Sequence, residues 1–393
     1  MKKILAMLLA LVMVMGLVAC GTDAPETTAP AGETNPAEST PETTAPAVSD
    51  VEYKIAMITD YGDITDQSFN QTTYEAMKAF AEANGVAYNY YKPSGDSTAE
   101  RVAMVDAAIV DGYNVIVMPG FAFGETLVEV ADVYPEIKFV ALDVAEGEGG
   151  FTATENVFSA VYQEELSGYM AGVAAVKLGY KHLGYLGGMA VPAVQRFGYG
   201  FLQGVDAAAK ELGIVGDIKV EYVYGNQFYG DADITAVMDT WYGEKGVECV
   251  FACGGGIWTS AAEAAAKVGG KVIGVDVDQA AIIDGMYGEG MTVTSAMKGL
   301  APTVNDVLTA IVLEDNWAAY AGKIETLGLV SADPEANYVQ IPMASTQFAE
   351  GFTAEDYSAL VAAMFEGTVT VSGDISAFPT TEVAVEQYAD IKG

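Results

Sequence analysis

The sequence has few basic residues and many acidic ones. Lys and Arg together number 18 against 54 Asp and Glu in 393 residues, which gives a formal net charge of −36 at pH 7. Nucleic acids and anionic lipid surfaces are bound through positive charge, so this balance argues against both as partners. We interpret the excess of acid as a solubility feature.

Cysteine and histidine are also scarce, with three Cys and the single His182. Cys20 lies near the start, and Cys249 and Cys253 lie in CVFACGGG. If that stretch is a strand, its two thiols are about 13 Å apart along it, whereas a disulfide needs Cα atoms within about 7 Å. We predict two small buried apolar residues there. A zinc site lacks ligands, and neither a metal nor a cofactor is expected.

The N-terminus has the pattern of an exported protein. A short basic start, MKK, precedes the apolar run ILAMLLALVMVMGLVA and then Cys20. This is the plan of a signal peptide, with an apolar part too short for a membrane span. LVAC at 17–20 resembles a bacterial lipobox, which predicts a lipoprotein signal peptide over 1–19 and lipidation of Cys20. An ordinary signal peptide with a coincidental Cys is the alternative.

Residues 20–50 comprise Cys20 and a segment, 21–50, that is dominated by Thr, Pro, Ala, Glu and Ser, with ETTAP at 26–30 recurring at 42–46. Such a composition cannot bury enough apolar surface to offset the entropy of ordering, so a disordered stalk is predicted. A stalk of this length suits a protein held at the extracytoplasmic face of a cell membrane, as on a Gram-positive surface. About 340 residues remain, enough for two domains.

The remaining chain alternates short apolar runs with longer helical patterns. Continuous apolar runs indicate strands covered on both faces, as in parallel sheets. The predicted strands are 53–59, 87–91, 114–119, 138–144, 182–188, 219–225, 249–255 and 271–277. Four β-α units, a connection and four more units predict an α/β fold with two doubly wound Rossmann-like lobes joined by a hinge. Lobe I would comprise 51–160 with 299–393 and lobe II 161–298, with crossings at 151–162 and 291–296.

Ligands of such folds bind outside the carboxyl ends of the strands, which here means the cleft between the lobes. Acidic, glycine and aromatic residues directly follow predicted strands and are the candidates for that cleft. They are Asp60, Asp143, Asp276, Gly254 to Gly256, Phe121, Phe123, Phe228 and Tyr229. Lys298 and Arg196 are the nearby cations. A strand-end Asp is also a common turn or cap residue, so each carboxylate has a structural alternative.

The stretch DYGDITDQSFNQ at 60–71 places three carboxylates within seven residues. A calcium loop would need oxygen ligands at alternate positions and a distal Glu, which this stretch does not supply. We predict that Asp66 caps a helix beginning at Gln67 and that Asp60 faces the cleft.

Four motifs carry a resemblance to a known family. ITDYGDITDQSFNQTTYEAM, YLGGMAVPAVQRFGYGFLQGVDAA (185–208), GVDVDQ (274–279) and TSAMKG (294–299) occur in the order expected for the basic membrane protein family of bacterial lipoproteins, of the purine nucleoside receptor type. The resemblance covers nearly the whole mature chain. It implies a type I periplasmic-binding-protein fold and a protein that delivers a nucleoside to an ABC permease and its ATPase, without being an enzyme.

The same resemblance implies roles for particular residues. Phe69 and Phe228 would stack on the two faces of the base, with Tyr229 as the alternative to Phe228. Asp60 and Asp143 would face the base, and Asp276 and Lys298 would hold ribose hydroxyls. An amide of the glycine run, at Gly255 or Gly256, and the bulky Trp258 would lie near the sugar. The chain departs from the family pattern at Ala190, Asp63 and Trp258, so the resemblance leaves the identity of the ligand open.

Three functions therefore stay open. The first is a lipid-anchored, monomeric nucleoside-binding receptor of an ABC importer. The second keeps the fold and binds a sugar or a signal molecule, because glycines and aromatics suit a sugar too. The third is a secreted nucleoside hydrolase, since strand-end Asp clusters with a bound metal also hydrolyse N-glycosidic bonds; the two-lobe pattern and the lack of a compact acidic cluster argue against it.

Overall fold

The computed structural model describes residues 51–60 and 62–393, so the predicted signal peptide, Cys20 and the stalk lie outside the described residues. The described chain forms two mainly parallel sheets. The strands are β1 Lys54–Ile58, β2 Ala87–Tyr91, β3 Val115–Pro119, β4 Lys138–Leu142, β5 Val157–Tyr162, β6 His182–Gly187, β7 Lys219–Tyr224, β8 Cys249–Cys253, β9 Lys271–Asp276, β10 Thr292–Lys298, β11 Lys323–Leu327, β12 Val339–Gln340 and β13 Ala384–Gln387. All eight strands predicted from the sequence are present.

The first sheet has the order β11-β5-β4-β3-β1-β2 and the second the order β12-β10-β9-β8-β6-β7-β13. Strand pairs are parallel except β10 with β12, which is antiparallel. We call the first sheet and its helices lobe I, and the second sheet and its helices lobe II. The α/β class with two doubly wound lobes is therefore confirmed.

Helices cover both faces of each sheet. They are α1 Phe69–Asn84, α2 Thr98–Val110, α3 Phe123–Val130, α4 Glu164–Lys177, α5 Pro192–Leu212, α6 Ala232–Asp239, α7 Trp258–Val268, α8 Ala280–Tyr287, α9 Leu300–Val312 and α10 Ala354–Phe365. None of these helices in the described chain combines the length and apolar character needed to cross a membrane.

The two-sided cover explains the continuous apolar runs. In β1, Ile55 and Met57 face the cluster under α1 and α9, whereas Ala56 and Ile58 face the cluster under α2 and α3. All four are fully buried. Successive strand side chains point to opposite faces, so a strand between two helical layers must be apolar at every position. Cys249 and Cys253 are free and buried in β8, as predicted.

The chain crosses between the lobes three times. It leaves lobe I after β5 through α4, and it returns after β10 through α9, which packs against α1. The predicted crossings, 151–162 and 291–296, instead contain β5 and most of β10, so the chain changes lobes directly after these segments. A third crossing between β11 and β12 was not predicted, and β12, α10 and β13 all belong to lobe II.

The prediction that 299–393 lies wholly in lobe I is therefore wrong beyond β11. Residues 328–338 lead back to lobe II, where β12 pairs with β10 and β13 with β7. Both strands lie at sheet edges, and β12 has two residues, so neither has the long apolar run of a central strand. The sequence pattern that identified the central strands could not identify them.

Helices α4 and α5 of lobe II pack so closely that their backbones are in contact where they cross. A Cβ atom added to Gly200 or Gly204 of α5 would lie 2.1 Å from a carbonyl oxygen of α4, and one added to Gly172 would lie 2.3 Å from a carbonyl of α5. Glycine is needed here because any side chain would force the helices apart. The close crossing brings the first residue of α4 beside the first turns of α5, next to the cleft.

Candidate functional site

A cleft of about 820 Å³ lies at the carboxyl ends of both sheets. Both lobes contribute to its lining, as expected for ligand sites of doubly wound sheets. Of the nine predicted ligand-binding residues, eight line it: Asp60, Phe69, Asp143, Phe228, Gly255, Gly256, Asp276 and Lys298.

Trp258 is the exception. It is the first residue of α7, its side chain is 1 % exposed, and it packs in the lobe II core with its ring edge-on to Tyr287 at 6.5 Å. It does not line the cleft. The prediction placed it near the sugar because it follows the glycine run closely, but the helix turns the side chain inward. We do not retain Trp258 in the candidate site.

Asp66 organises the loop that enters the cleft. Its carboxylate accepts hydrogen bonds from the backbone amides of Ser68, Asn70 and Gln71 at 2.9, 2.9 and 3.0 Å. These amides lie at the N-terminus of α1, so Asp66 makes capping hydrogen bonds as predicted, although the N-cap position itself is Ser68. The helix begins at Phe69 rather than at Gln67, because Gln67 has a φ of 57° and cannot continue a right-handed helix.

Asp60 lies beside this cap. Its Oδ1 accepts from the amide of Gly62 and from Nδ2 of Asn70, both at 3.0 Å. Burial raises the pKa of Asp60 to about 6, although these two hydrogen bonds act to lower it. A buried carboxylate such as this one costs free energy wherever one of its oxygen atoms lacks a hydrogen-bond donor.

Lys298 lies at the floor of the cleft, where its ammonium meets carboxylates from both lobes. It donates to Oδ2 of Asp143 and lies 3.7 Å from both Oδ1 of Asp276 and Oε1 of Glu164. The Lys298 side chain is 3 % exposed. Burial acts to lower the pKa of Lys298, but Asp143, Asp276 and Glu164 raise it overall, so the lysine stays charged.

The Phe69 ring also contacts this lysine. Its centroid lies 4.6 Å from Nζ of Lys298, within the range of a cation–π interaction. The predicted aromatic and the predicted cation are therefore neighbours at the same end of the cleft.

Asp143 and Asp276 share an unusual backbone conformation. Their φ angles are 63° and 66°, in the left-handed region that non-glycine residues rarely occupy. Asp143 follows β4 and Asp276 ends β9, which are equivalent strands of the two lobes. Such strain, of the order of 1–3 kcal/mol per residue, is often found at functional sites. The conformation turns both carboxylates toward Lys298.

Glu164 and Arg196 form a buried pair behind Lys298 that the sequence did not identify as such. Nε of Arg196 donates to Oε2 of Glu164 at 2.5 Å, and the Glu164 side chain has no exposed surface. Burial raises the pKa of Glu164, while Arg196 and Lys298 act to lower it. The sequence does contain a signal for this pair. Two glutamates begin α4, whose other residues are mostly small or apolar, and a buried carboxylate needs a charged or hydrogen-bonding partner.

On the lobe II side, the lining of the cleft includes the backbone of several glycines and the ring of Phe228. A Cβ atom on Gly188 would lie 2.6 Å from Cδ1 of Phe228, and one on Gly254 would lie 3.0 Å from the same atom. Phe228 is half-buried on this glycine surface, whereas Tyr229 is 62 % exposed. Phe228 and Tyr229 were the alternatives for the second stacking residue, and it is the Phe228 ring that lies against the cleft wall.

Besides the Lys298–Asp143 bond, two hydrogen bonds connect the loop before α1 to lobe II. Oγ of Ser68 donates to Oδ2 of Asp276 at 2.5 Å, and Nε2 of Gln279 donates to the carbonyl of Gln67 at 3.0 Å. Burial raises the pKa of Asp276 to about 6, although Lys298 and Ser68 act to lower it. The loop before α1 is thus attached to the end of β9, and the lobes are closed on each other at this edge.

Two buried acceptors in the cleft have no hydrogen-bond partner among the described residues. They are Oδ1 of Asp143 and Oδ1 of Asn70, and both residues line the cleft. A buried acceptor without a donor costs about 1–3 kcal/mol. Both atoms could accept a hydrogen bond from a group that enters the cleft. Asn70 was missed from the sequence, although it directly follows the predicted Phe69.

The acidic residues of the described chain do not cluster as a metal site would require. In the described part of the chain, no three His, Cys, Asp or Glu residues are grouped so as to hold a metal ion. Lys298 is paired with Asp143, Asp276 and Glu164, and Arg196 is paired with Glu164. The fold and cleft are those of a two-lobed solute-binding protein.

The comparison with known families agrees with this class. Residues 53–332 match the family described as "Bmp: ABC transporter substrate-binding protein PnrA-like", so the chain belongs to this family. Its members are substrate-binding proteins of ABC transporters rather than enzymes, and the resemblance seen in the four sequence motifs is confirmed.

Individual relatives support the assignment. The chain is 30 % identical over 241 residues to the "ABC transporter nucleoside-binding protein BmpA" of Lactococcus lactis, covering 58 % of this chain and 65 % of that protein. The match thus spans slightly less than two thirds of that relative. The chain is 27 % identical to "Basic membrane protein B" of Borreliella afzelii over 70 % of this chain and 78 % of that one.

A solved structure resembles the fold. The ABC transporter solute-binding protein of Aeropyrum pernix superposes with a TM-score of 0.63 at 23 % identity, covering 81 % of this chain and 87 % of that one. At this identity the similarity supports the periplasmic-binding-protein fold.

Proposed function

We propose that this substrate-binding protein is lipid-anchored at Cys20 on the extracytoplasmic face of the membrane, captures a nucleoside in the cleft between its lobes, and delivers it to an ABC importer. The observation that carries the proposal is that one cleft contains two aromatic rings and buried hydrogen-bond acceptors. The rings are Phe69 of lobe I and Phe228 of lobe II. A base–aromatic stack is worth about 1–3 kcal/mol.

The hydrogen-bonding groups of the cleft fit a ligand rich in donors. Asp60, Asp143 and Asp276 are acceptors, and Oδ1 of Asn70 is another. Ring N–H, exocyclic amino and ribose hydroxyl groups are the donors of a nucleoside. A carboxylate that accepts from them forms a charge-assisted bond, which is stronger than a neutral one.

The charge of the cleft favours an uncharged ligand. Lys298 is compensated by three carboxylates and Arg196 by Glu164, so neither has charge to spare for a phosphate. Lys92, at the rim, is paired with Asp63. A nucleoside would bind without disturbing these pairs, whereas a nucleotide would bring a dianion into a cleft lined by several carboxylates.

The relatives are consistent with the same ligand class. The BmpA relative is named as a nucleoside-binding protein, and its similarity supports a nucleoside for this chain too. The anchor rests on LVAC before Cys20 and on the stalk composition after it. We expect a Cys20→Ser variant to leave the membrane fraction or to accumulate as precursor; detergent-dependent membrane association that persists in this variant would refute the anchor.

The ligand is tested by mass spectrometry of small molecules released from the purified, denatured protein. It is tested further by calorimetry with adenosine, guanosine, inosine, uridine, ribose and glucose. Nucleoside binding with weaker or no binding of free ribose and glucose is the expected result. Tight binding of a sugar with no nucleoside binding would contradict the proposal and assign the cleft to sugars instead. Conversion of nucleoside to base and ribose during long incubation with Ca²⁺ would point to a hydrolase.

A further inference from the structure

The C-terminal residues lie on the edge of lobe II that carries Phe228. Residues 333–393 are outside the range that the family description matches. Within them, β13 pairs in parallel with β7, with Ala384 opposite Lys219 and Gln387 opposite Tyr222. The chain then continues along β7, since the amides of Tyr388 and Ile391 donate to the carbonyls of Tyr222 and Tyr224 at 2.9 Å each. We call residues 384–392 the C-terminal strap.

Side chains fix the beginning of the strap. Nζ of Lys219 lies 2.7 Å from Glu386, and the Tyr388 hydroxyl donates to the buried Glu221. Nζ of Lys245 lies 4.6 Å from the centroid of the Tyr388 ring. The strap is therefore held in register at its start, and the hydrogen bond from the Ile391 amide to Tyr224 holds it again next to Lys392.

Those last residues contact both ends of the segment that carries Phe228, residues 225–231, which we call the Phe228 loop. Nδ2 of Asn226 donates to the carbonyl of Lys392 at 3.1 Å, and Nζ of Lys392 lies 2.8 Å from Oδ2 of Asp231. Lys392 also pairs with Asp233. One residue thus connects the start of the loop to its end.

The loop also has contacts of its own. Asn226 has a φ of 59°, in the left-handed region that asparagine adopts more readily than most non-glycine residues, and its backbone amide donates to the carbonyl of Gly188 at 2.9 Å. Asp231 accepts from Nε2 of Gln227 at 3.0 Å through the same oxygen that Lys392 contacts, and its other oxygen caps α6. Lys392 is the main cause of the lowered pKa of Asp231, about 2.

We propose that the C-terminal strap, through Lys392, positions the Phe228 loop and thereby sets how tightly the cleft holds its ligand. The ligand-binding half of this statement rests on the proposed function. Lys392 does not line the cleft and acts through the loop. An aromatic ring that is already in place loses less conformational freedom on binding, so a released loop would weaken affinity chiefly by faster dissociation.

The test compares Lys392→Met with Lys267→Met. Lys267 also forms an exposed pair with an aspartate of lobe II, Asp239, at 2.8 Å, but on α7 and without contact to the loop. In the ligand-free protein, we expect amide hydrogen exchange at Asn226 to become about three- to fivefold faster in Lys392→Met and to stay unchanged in Lys267→Met. A chain ending at Ala389, which retains β13 and Tyr388, should show a larger increase.

Binding of the nucleoside identified by calorimetry gives the second measurement. Lys392→Met should raise the dissociation constant about three- to tenfold, and it should have no further effect in a Phe228→Ala background, because the coupling runs through that ring. An equal rise in both backgrounds overturns the proposal. Unchanged loop exchange overturns it whether or not any nucleoside binds, and a failure of the wild type to bind nucleosides counts against the proposed function alone.

Discussion

The two lobes have the same central strand order and different cleft walls. The order β5-β4-β3-β1-β2 of lobe I is repeated as β10-β9-β8-β6-β7 in lobe II. After β1 lobe I has Asp60, where lobe II has Gly188 after β6. Lobe I thus contributes acceptors and lobe II contributes backbone under the Phe228 ring. The same scaffold serves two tasks because the residues after the strands can change without disturbing the sheets.

Asp143 and Asp276 are the exception, since both lobes keep an aspartate at equivalent strand ends. The two have different partners all the same. Asp143 accepts directly from Lys298 and keeps one oxygen without a described partner, whereas Asp276 accepts from Ser68 across the cleft and lies 3.7 Å from Lys298. Equivalent position therefore does not mean equivalent role, and four experiments test how far the difference extends.

Removing the lysine that the two aspartates share should have the largest effect. Lys298→Met leaves Asp143, Asp276 and Glu164 buried without their common cation, and we expect a loss of about 3–5 kcal/mol in the free energy of unfolding. Chemical denaturation measures this loss. Lys92→Met, which breaks the exposed pair with Asp63, is the control and should cost at most about 1 kcal/mol. Equal losses in the two variants would contradict the buried network.

Neutralising each aspartate separately compares the lobes directly. We expect Asp276→Asn to weaken nucleoside binding by about 2–4 kcal/mol, or about 30- to 1000-fold, and Asp143→Asn to weaken it similarly. The variants should differ in ligand-free stability, because Asp143 bonds Lys298 directly while burial disfavours the charge of Asp276. Calorimetry and thermal melting should show a lower melting temperature for Asp143→Asn alone. A lowered melting temperature with unchanged affinity in Asp276→Asn would exclude Asp276 from the site.

A methyl group on the lobe II wall tests the role of its glycines. The Cβ of Gly188→Ala would lie 2.6 Å from the Phe228 ring, so the ring must move. We expect affinity to fall by about 1–2 kcal/mol, roughly five- to thirtyfold, as part of the stacking is lost. Gly216→Ala in the same lobe, where a Cβ meets nothing within 4 Å, is the control. Unchanged affinity in Gly188→Ala would argue against stacking on Phe228.

The smallest effect expected is a pH dependence. The pKa of Asp276 is raised to about 6, so between pH 7 and 5.5 the folded protein takes up a proton that the unfolded chain does not. The contribution of Asp276 to folding stability should therefore rise by about 1 kcal/mol as the pH falls through this window, while affinity falls because a protonated carboxyl is a poorer acceptor. The melting temperatures of the wild type and of Asp276→Asn are measured across this pH window. The difference between them gives the contribution of the Asp276 carboxyl alone. A difference that does not change with pH would refute the assignment.

Local pattern was enough to predict most of the fold. The eight predicted strands are all present, because a strand covered on both faces must be apolar throughout, and this is visible in the sequence. Strand ends then indicated the cleft residues, and Asp66 was recognised as a cap from its place before the helix. These inferences depend on neighbours in the chain.

Tertiary structure decided the partners. The ammonium of Lys298 meets Asp143 from 155 residues away, and Ser68 meets Asp276 from 208 residues away. No local period or composition specifies such pairs. The same holds for Trp258, whose place in the core depends on how α7 packs, and for the edge strands β12 and β13, which are defined by the sheet they join. The sequence alone determined the two-lobed scaffold and the residues at its strand ends, since these follow from local burial; which groups meet in the cleft was decided by the tertiary structure, because contacts between distant residues form only when the lobes pack.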